Sequence, residues 1–204
     1  VYRLAYNSRE KVIYGVSQHS SLLFAVACST NELVASIPLT DPRAVCYDST
    51  DNKAYCTCGI PGRLVVVDGR THTPIDTVVL PEPAVPLWEP VADRIYVSLA
   101  ENNLVAVVDC RTDSVLSYIP VGIFPHDMYL NRRHRKLYVL GRDDGSVSVI
   151  GLDAGRVVAR VGVGGDLRYG CYCETADKFY ACGDPVAVID GASDRLIAEI
   201  EIPP

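Results

Sequence analysis

Short apolar runs of four to seven residues, separated by polar turns, follow one another along the whole chain. The clearest example is LVAVVDCRTDSVLSY, residues 104–118, in which two apolar runs flank an Asp and a polar turn. The same pattern recurs at residues 64–78, 147–161 and 186–200. Runs rich in Val and Ile predict β-strands, and runs without alternation are typical of sheets covered on both faces.

A tyrosine ends one apolar run in each of five repeats, and these tyrosines are spaced by 41, 41, 42 and 42 residues: Tyr14, Tyr55, Tyr96, Tyr138 and Tyr180. A second apolar run precedes each tyrosine, and a polar turn joins the two runs. Each repeat therefore contains four strands. A period near 41 residues predicts an all-β fold, a β-propeller of four-stranded antiparallel blades built from five repeats of about 41 residues. The competing two-sheet sandwich does not require equal repeats.

The repeats place the blades of a single domain, residues 1–204, at approximately 1–40, 41–81, 82–122, 123–164 and 165–204. The third strand ends on Asp68, Asp109 and Asp190, whose side chains we expect to cap the following turn. The first repeat begins on strand one and the last ends on strand four. Three alternatives stay open: the five blades close by themselves, they belong to a larger ring, or two chains complete the ring.

Composition narrows the classes of function. The formal charge of −6 argues against a nucleic-acid surface, which clusters Lys and Arg. No window contains the roughly 18 unbroken apolar residues of a membrane helix, so no membrane span is expected. The chain starts at Val1, which we interpret as a processed or truncated product.

The repeat resembles a known family. Residues 119–164, IPVGIFPHDMYLNRRHRKLYVLGRDDGSVSVIGLDAGRVVARVGVG, together with RIYVSL and LVAVVD in the third repeat, are similar to the YVTN-type β-propeller repeat. The resemblance covers essentially the whole chain and implies the propeller fold. It implies little about function, because such propellers serve in adhesion, scaffolding, ligand binding and some enzymes.

Eight cysteines fall at repeat-related positions. We expect a disulfide between Cys46 and Cys56, on neighbouring strands of one hairpin, and another that joins Cys171 or Cys173 to Cys182. Disulfides would indicate an oxidising compartment, so the predicted location is extracellular, cell-surface or periplasmic. Cys-x-Cys pairs lack the usual zinc spacing, and no metal site is predicted.

Innermost strands of a propeller line its central channel. Position 12 before the tyrosine carries Arg43, His126 and Arg168 in repeats two, four and five. An arginine cluster in a concave site favours a small anionic ligand such as a carboxylate or phosphate. The alternative, which we favour, is that these long side chains fill the hole and pair with water, Asp127 or Asp166.

No nucleophile elbow, phosphate loop, dinucleotide fingerprint or zinc-protease motif is present. No catalytic residue and no cofactor is therefore predicted. The sequence favours a secreted or cell-surface binding or structural module, whose partner is another protein or its own copies through the end blades. The alternative is a lactonase-like or oxidoreductase-associated propeller enzyme with a site at the channel mouth.

Overall fold

The computed structural model describes residues 3–202, which form five four-stranded antiparallel sheets. In every sheet the four strands are hydrogen-bonded in chain order, so each sheet is a simple meander. Within the described range the helical structure is one 3-10 turn, Ala100–Asn102. The predicted all-β class and the four-stranded antiparallel repeat are confirmed.

The strands of each sheet fall inside one predicted repeat. Sheet 1 contains β1 (Leu4–Asn7), β2 (Val12–Ser17), β3 (Leu22–Ala27) and β4 (Leu33–Pro38). Sheet 2 contains β5 (Pro42–Asp48), β6 (Lys53–Cys58), β7 (Arg63–Asp68) and β8 (Pro74–Val79). Sheet 3 contains β9 (Pro83–Glu89), β10 (Arg94–Leu99), β11 (Leu104–Asp109) and β12 (Ser114–Pro120). Sheet 4 contains β13 (Pro125–Asn131), β14 (Lys136–Gly141), β15 (Ser146–Gly151) and β16 (Arg156–Gly162). Sheet 5 contains β17 (Tyr169–Cys173), β18 (Lys178–Cys182), β19 (Val186–Asp190) and β20 (Leu196–Ile200).

The turns that join the first two strands share one backbone conformation. The last turn residue is left-handed in all five sheets, with φ between 51° and 58°: Lys11, Asn52, Asp93, Arg135 and Asp177. Polar side chains tolerate this region better than β-branched ones. The turns after the third strands are capped as predicted, because the Asp68, Asp109 and Asp190 carboxylates accept backbone N–H bonds from the turn.

The chain divides into two compact units. One contains the residues up to Leu99 together with Ala106–Ser117, and the other contains Ala100–Val105 together with the residues from Tyr118 onward. In the first unit, sheets 1 and 2 bury a shared core that includes Tyr14, Leu23, Cys56 and Val65. In the second, Tyr138 of sheet 4 stacks on Phe179 of sheet 5 with ring centroids 4.4 Å apart.

Among the described residues, no helix is long and apolar enough to cross a membrane.

Candidate functional site

Within each of the two units, one sheet meets the next through a recurring set of polar contacts. Its first member is the residue that ends the first strand of each sheet, seven positions before the tyrosine of the repeat: Asn7, Asp48, Glu89, Asn131 and Cys173. We call these the cap residues. The Asn7, Asp48, Glu89 and Asn131 side chains accept backbone N–H bonds from the hairpin turn that follows.

A cap residue also reaches the next sheet. Asn7 Nδ2 donates to the carbonyl oxygen of Gly69 at 3.1 Å, and Asn131 Nδ2 donates to that of Gly191 at 3.4 Å. Both glycines directly follow the third strand of the next sheet. We call this position the acceptor residue. Each sheet has one such residue, and its backbone N–H donates to the carbonyl of the left-handed turn residue of the same sheet. The five acceptor residues are Cys28, Gly69, Cys110, Leu152 and Gly191.

The repeat tyrosine and a lysine strengthen the same junction. Tyr55 Oη donates to the Cys110 carbonyl at 3.3 Å and to Asp113 Oδ1 at 2.8 Å. Lys53 Nζ donates to the same carbonyl at 2.6 Å and lies 2.7 Å from Asp113 Oδ2. Lys136 makes the equivalent contacts in the second unit, where its ammonium group donates to the carbonyl of Gly191 and forms an ion pair with the carboxylate of Asp194.

The junction between sheets 2 and 3 differs chemically from the junction between sheets 1 and 2 and from the junction between sheets 4 and 5. The cap residue is Asp48 and the acceptor residue is Cys110, both buried, and the half-buried Asp93 lies beside them. Their carboxylate and thiol ligand atoms lie within 4.8 Å of one another. Burial raises the pKa of Asp48 to about 6, and burial likewise raises the pKa of the Cys110 thiol. Two carboxylates and one thiolate are able to hold a divalent cation, but the cation would first have to displace the protons that burial favours.

The predicted channel residues are already engaged with acidic neighbours. In the first unit, Arg43 on β5 pairs with Asp41 at 3.3 Å and with Glu82 at 3.1 Å. In the second, Arg168 lies just before β17 and pairs with Asp166 at 2.7 Å. The half-buried His126 on β13 contributes, after Arg168 and Arg142, to the lowered pKa of Asp166. These ion pairs compete with an added anion at each arginine, and the anionic-ligand site stays a prediction.

The structure records all eight cysteines as free thiols. The expected Cys46–Cys56 disulfide is wrong, because Cys46 stands opposite Tyr55 and Cys56 stands opposite Val45. An offset of one residue puts the two thiols on opposite faces of the hairpin.

The second expected disulfide is absent for a related reason. Cys171 stands opposite Tyr180, Cys173 opposite Lys178, and Cys182 opposite Tyr169. The three thiols share one face, but Cys182 is diagonal to Cys171 and further from Cys173. Diagonal neighbours lie about 7–8 Å apart, beyond the usual reach of a disulfide. The predicted oxidising compartment rested on these disulfides and stays a prediction.

Cys56 and Cys58 form a buried pair on one face of β6. Hydrogen bonds from Cys56 and from the Arg63 guanidinium lower the pKa of Cys58. Both thiols are shielded from solvent, so the pair is poorly placed for reaction with dissolved reagents.

Sheet 1 exposes apolar side chains on the face directed away from sheet 2. Tyr14, Val16 and Leu23 point to the shared core, whereas the alternate residues point outward. Leu4 on this outer face is 61% exposed and Tyr6 is 49% exposed. The acceptor residue Cys28 and the turn residue Asn31 are also exposed.

Sheet 5 has a matching exposed face directed away from sheet 4. Phe179, Ala181 and Ile189 fill the core, and the alternate residues of the same strands point outward. Tyr169 is 64% exposed, while Cys173, Lys178 and Tyr180 are half-buried. Large exposed apolar faces are typical of sites that bind another protein surface.

No family model matches the sequence, and no curated protein matches it. The structure is similar to that of Kuenenia stuttgartiensis hydrazine synthase, with a TM-score of 0.86 and 16% sequence identity. The alignment covers 98% of this chain, and the chain spans 66% of the length of that one. At this identity the likeness shows a shared fold only.

Proposed function

We propose that the chain is a β-propeller segment of the YVTN-repeat type, and that it is a structural and binding module that associates with its own copies. The five meander sheets would be its blades. The face of sheet 5 that points away from sheet 4 would bind the outer face of sheet 1 in a second copy. The proposal includes a secreted or cell-surface location and no catalytic role.

One observation carries the proposal. The exposed face of sheet 5 contains the donor groups, and the exposed face of sheet 1 the acceptor groups, of the junction that joins sheets 2 and 3 within the chain. Sheet 5 presents Lys178 and Tyr180, the equivalents of Lys53 and Tyr55. Sheet 1 presents the Cys28 carbonyl and Asn31, the equivalents of the Cys110 carbonyl and Asp113.

The hydrogen bonds of the internal junction can therefore form again between copies. Tyr180 and Lys178 would donate to the carbonyl of Cys28 and to the amide oxygen of Asn31. The apolar residues around them would be buried from solvent, as they are between neighbouring sheets of the chain. Such a contact joins two different faces, so it generates rings or open chains rather than two-fold dimers.

Light scattering over a concentration series tests this proposal. The wild-type chain should form species heavier than its 22.2 kDa monomer. Leu4→Arg damages only the sheet 1 face, and Tyr169→Arg damages only the sheet 5 face, so each variant alone should stay monomeric. Mixed together they should form dimers, since each retains one intact face.

Val79→Arg is the matched control. Val79 is 80% exposed on β8, the outermost strand of sheet 2, and belongs to neither face, so this variant should associate like the wild type. A wild-type chain that stays monomeric at every concentration would overturn the proposal, as would equal effects of all three substitutions.

A further inference from the structure

The cap residue and the acceptor residue of neighbouring sheets bring their groups close together in three internal junctions. Asn7 meets Gly69, and Asn131 meets Gly191, through direct hydrogen bonds. Asp48 meets Cys110 by its side chain, with the carboxylate oxygen and the sulfur within 4.8 Å. Where both positions carry a side-chain ligand atom, as in the junction of Asp48 with Cys110, the cap side chain therefore lies near the acceptor side chain of the next sheet.

Cysteines occupy both of these positions on the two exposed faces. Cys173 is the cap residue of sheet 5, and Cys28 is the acceptor residue of sheet 1. The backbone supports this equivalence, because the Cys28 N–H donates to the Lys11 carbonyl at 2.9 Å, as the Cys110 N–H donates to the Asp93 carbonyl at 3.2 Å.

The thiol of Cys173 has the surroundings of a reactive cysteine. Its sulfur lies 3.4 Å from the Thr175 hydroxyl, and it receives backbone N–H bonds from the same hairpin turn that the other cap residues close. The hydrogen bond with Thr175, followed by the N–H of Ala176, lowers the pKa of the thiol. Cys28 is exposed and accessible to solvent. A thiolate that is stabilised and reachable is the form that attacks a disulfide.

We infer that Cys173 of one copy and Cys28 of the next form an intermolecular disulfide that locks the association under oxidising conditions. This inference rests on the proposed function, because it uses the sheet 5 to sheet 1 contact between copies. The occupant of each face is a second copy of this chain, because this chain presents the complementary thiol at the equivalent position of its other exposed face.

A small-molecule disulfide is the oxidant. The Cys173 thiolate attacks it, forms a mixed disulfide and releases one small thiolate. The Cys28 thiolate then attacks the sulfur of Cys173, forms the protein disulfide and releases the second small thiolate. The two protein thiols lose two electrons and two protons in total, and the small disulfide is reduced to two small thiols. The S–S length of about 2.0 Å requires rotation of both thiol side chains to bring the sulfurs closer together than the Asp48 and Cys110 ligand atoms lie.

The test is oxidation of the reduced full chain with oxidised glutathione, followed by non-reducing electrophoresis and peptide mass spectrometry. The wild type should form dimers and higher multiples that reductant dissolves, with Cys28 joined to Cys173. Cys28→Ser and Cys173→Ser should each abolish the multiples. A mixture of the two variants should give covalent dimers and nothing larger.

Cys182→Ser is the matched control, because Cys182 is exposed on the same face as Cys173 and does not occupy the cap position. This variant should form multiples like the wild type. A bridge through another cysteine, or a Cys28–Cys173 bridge within one chain, would overturn the inference.

Light scattering in the presence of reductant separates the two proposals. If the copies associate when reduced but oxidation produces no Cys28–Cys173 bridge, the disulfide inference fails and the proposed function stands. If the reduced copies do not associate at all, the proposed function fails, and the disulfide inference fails with it.

Discussion

Replacement of Asp48 by Asn should stabilise this protein at neutral pH. The carboxylate is fully buried, faces Asp93 and the Cys110 thiol, and accepts N–H bonds from its own turn. An Asn side chain keeps those N–H bonds through its oxygen. Its amide group can also donate to the Cys110 carbonyl, as Asn7 donates to Gly69 in the first junction.

The magnitude follows from the raised pKa of Asp48, about 6 in the folded chain against 3.8 for the free side chain. One pH unit corresponds to about 1.4 kcal/mol, so ionised Asp48 costs the folded state about 3 kcal/mol relative to its neutral form. Because the pKa of Asp48 is raised in the folded state, the neutral acid contributes fully to the free energy of unfolding below about pH 4. This contribution is lost as the pH rises to about 6 and above. Asp48→Asn should therefore differ little from the wild type near pH 3.5 and be more stable by about 3 kcal/mol at pH 7.

Equilibrium urea unfolding of both proteins between pH 3.5 and 8 measures this difference in the free energy of unfolding. Asp68→Asn is the matched control, because the N–H of Thr71 lowers the pKa of that carboxylate. Its difference from the wild type should have the opposite sign, should grow only as the pH rises to about 4, and should stay constant above that pH, because the lowered folded pKa confines the change in stability to more acidic conditions. A pH-independent difference for Asp48→Asn, or a loss of stability at pH 7, would refute the argument that burial raises this pKa.

Two further substitutions test the repeated contacts. Tyr55→Phe removes the hydroxyl bonds to Asp113 and to the Cys110 carbonyl, and should lower the free energy of unfolding by about 1–3 kcal/mol. The exposed Tyr118→Phe should leave it unchanged, and equal urea midpoints for both variants would contradict the proposed role of the hydroxyl. Asp109→Ala removes the acceptor that caps its turn and should cost about 1 kcal/mol in the same assay; an unchanged midpoint would show that the cap contributes nothing.

The arrangement of strands could be predicted because each repeat carries its own instructions. The Val- and Ile-rich runs predict the strands, the repeat tyrosine marks each second strand, and the polar turns mark where the chain reverses. Because these signals are local, the order of the four strands in each sheet follows from them. The caps at Asp68 and Asp109 were likewise predictable, since an Asp after a strand bonds to the turn that immediately follows it.

Pairing between neighbouring strands was less predictable, as the cysteines show. Cys46 and Cys56 lie on adjacent strands, yet the turn length sets the register one residue away from facing. A shift of one residue moves a side chain to the other face, so a small error in the predicted turn reverses the conclusion. The ion partners of Arg43 show the same limit, because the repeat pattern does not indicate that Asp41 and Glu82 approach it, whereas the Arg168–Asp166 pair was among those expected.

The sequence by itself determined the repeating unit and the equivalence of positions such as 48, 131 and 173, because both depend on chain neighbours and regular spacing. The tertiary structure decided what each position touches. Only the packed sheets show that Asp48 shares a buried space with Asp93 and Cys110, and that Cys28 and Cys173 are exposed on outer faces. Such contacts join residues that are distant in the chain. Their energies depend on how deeply each side chain is buried and on which way it points, and the spacing of residues along the sequence determines neither.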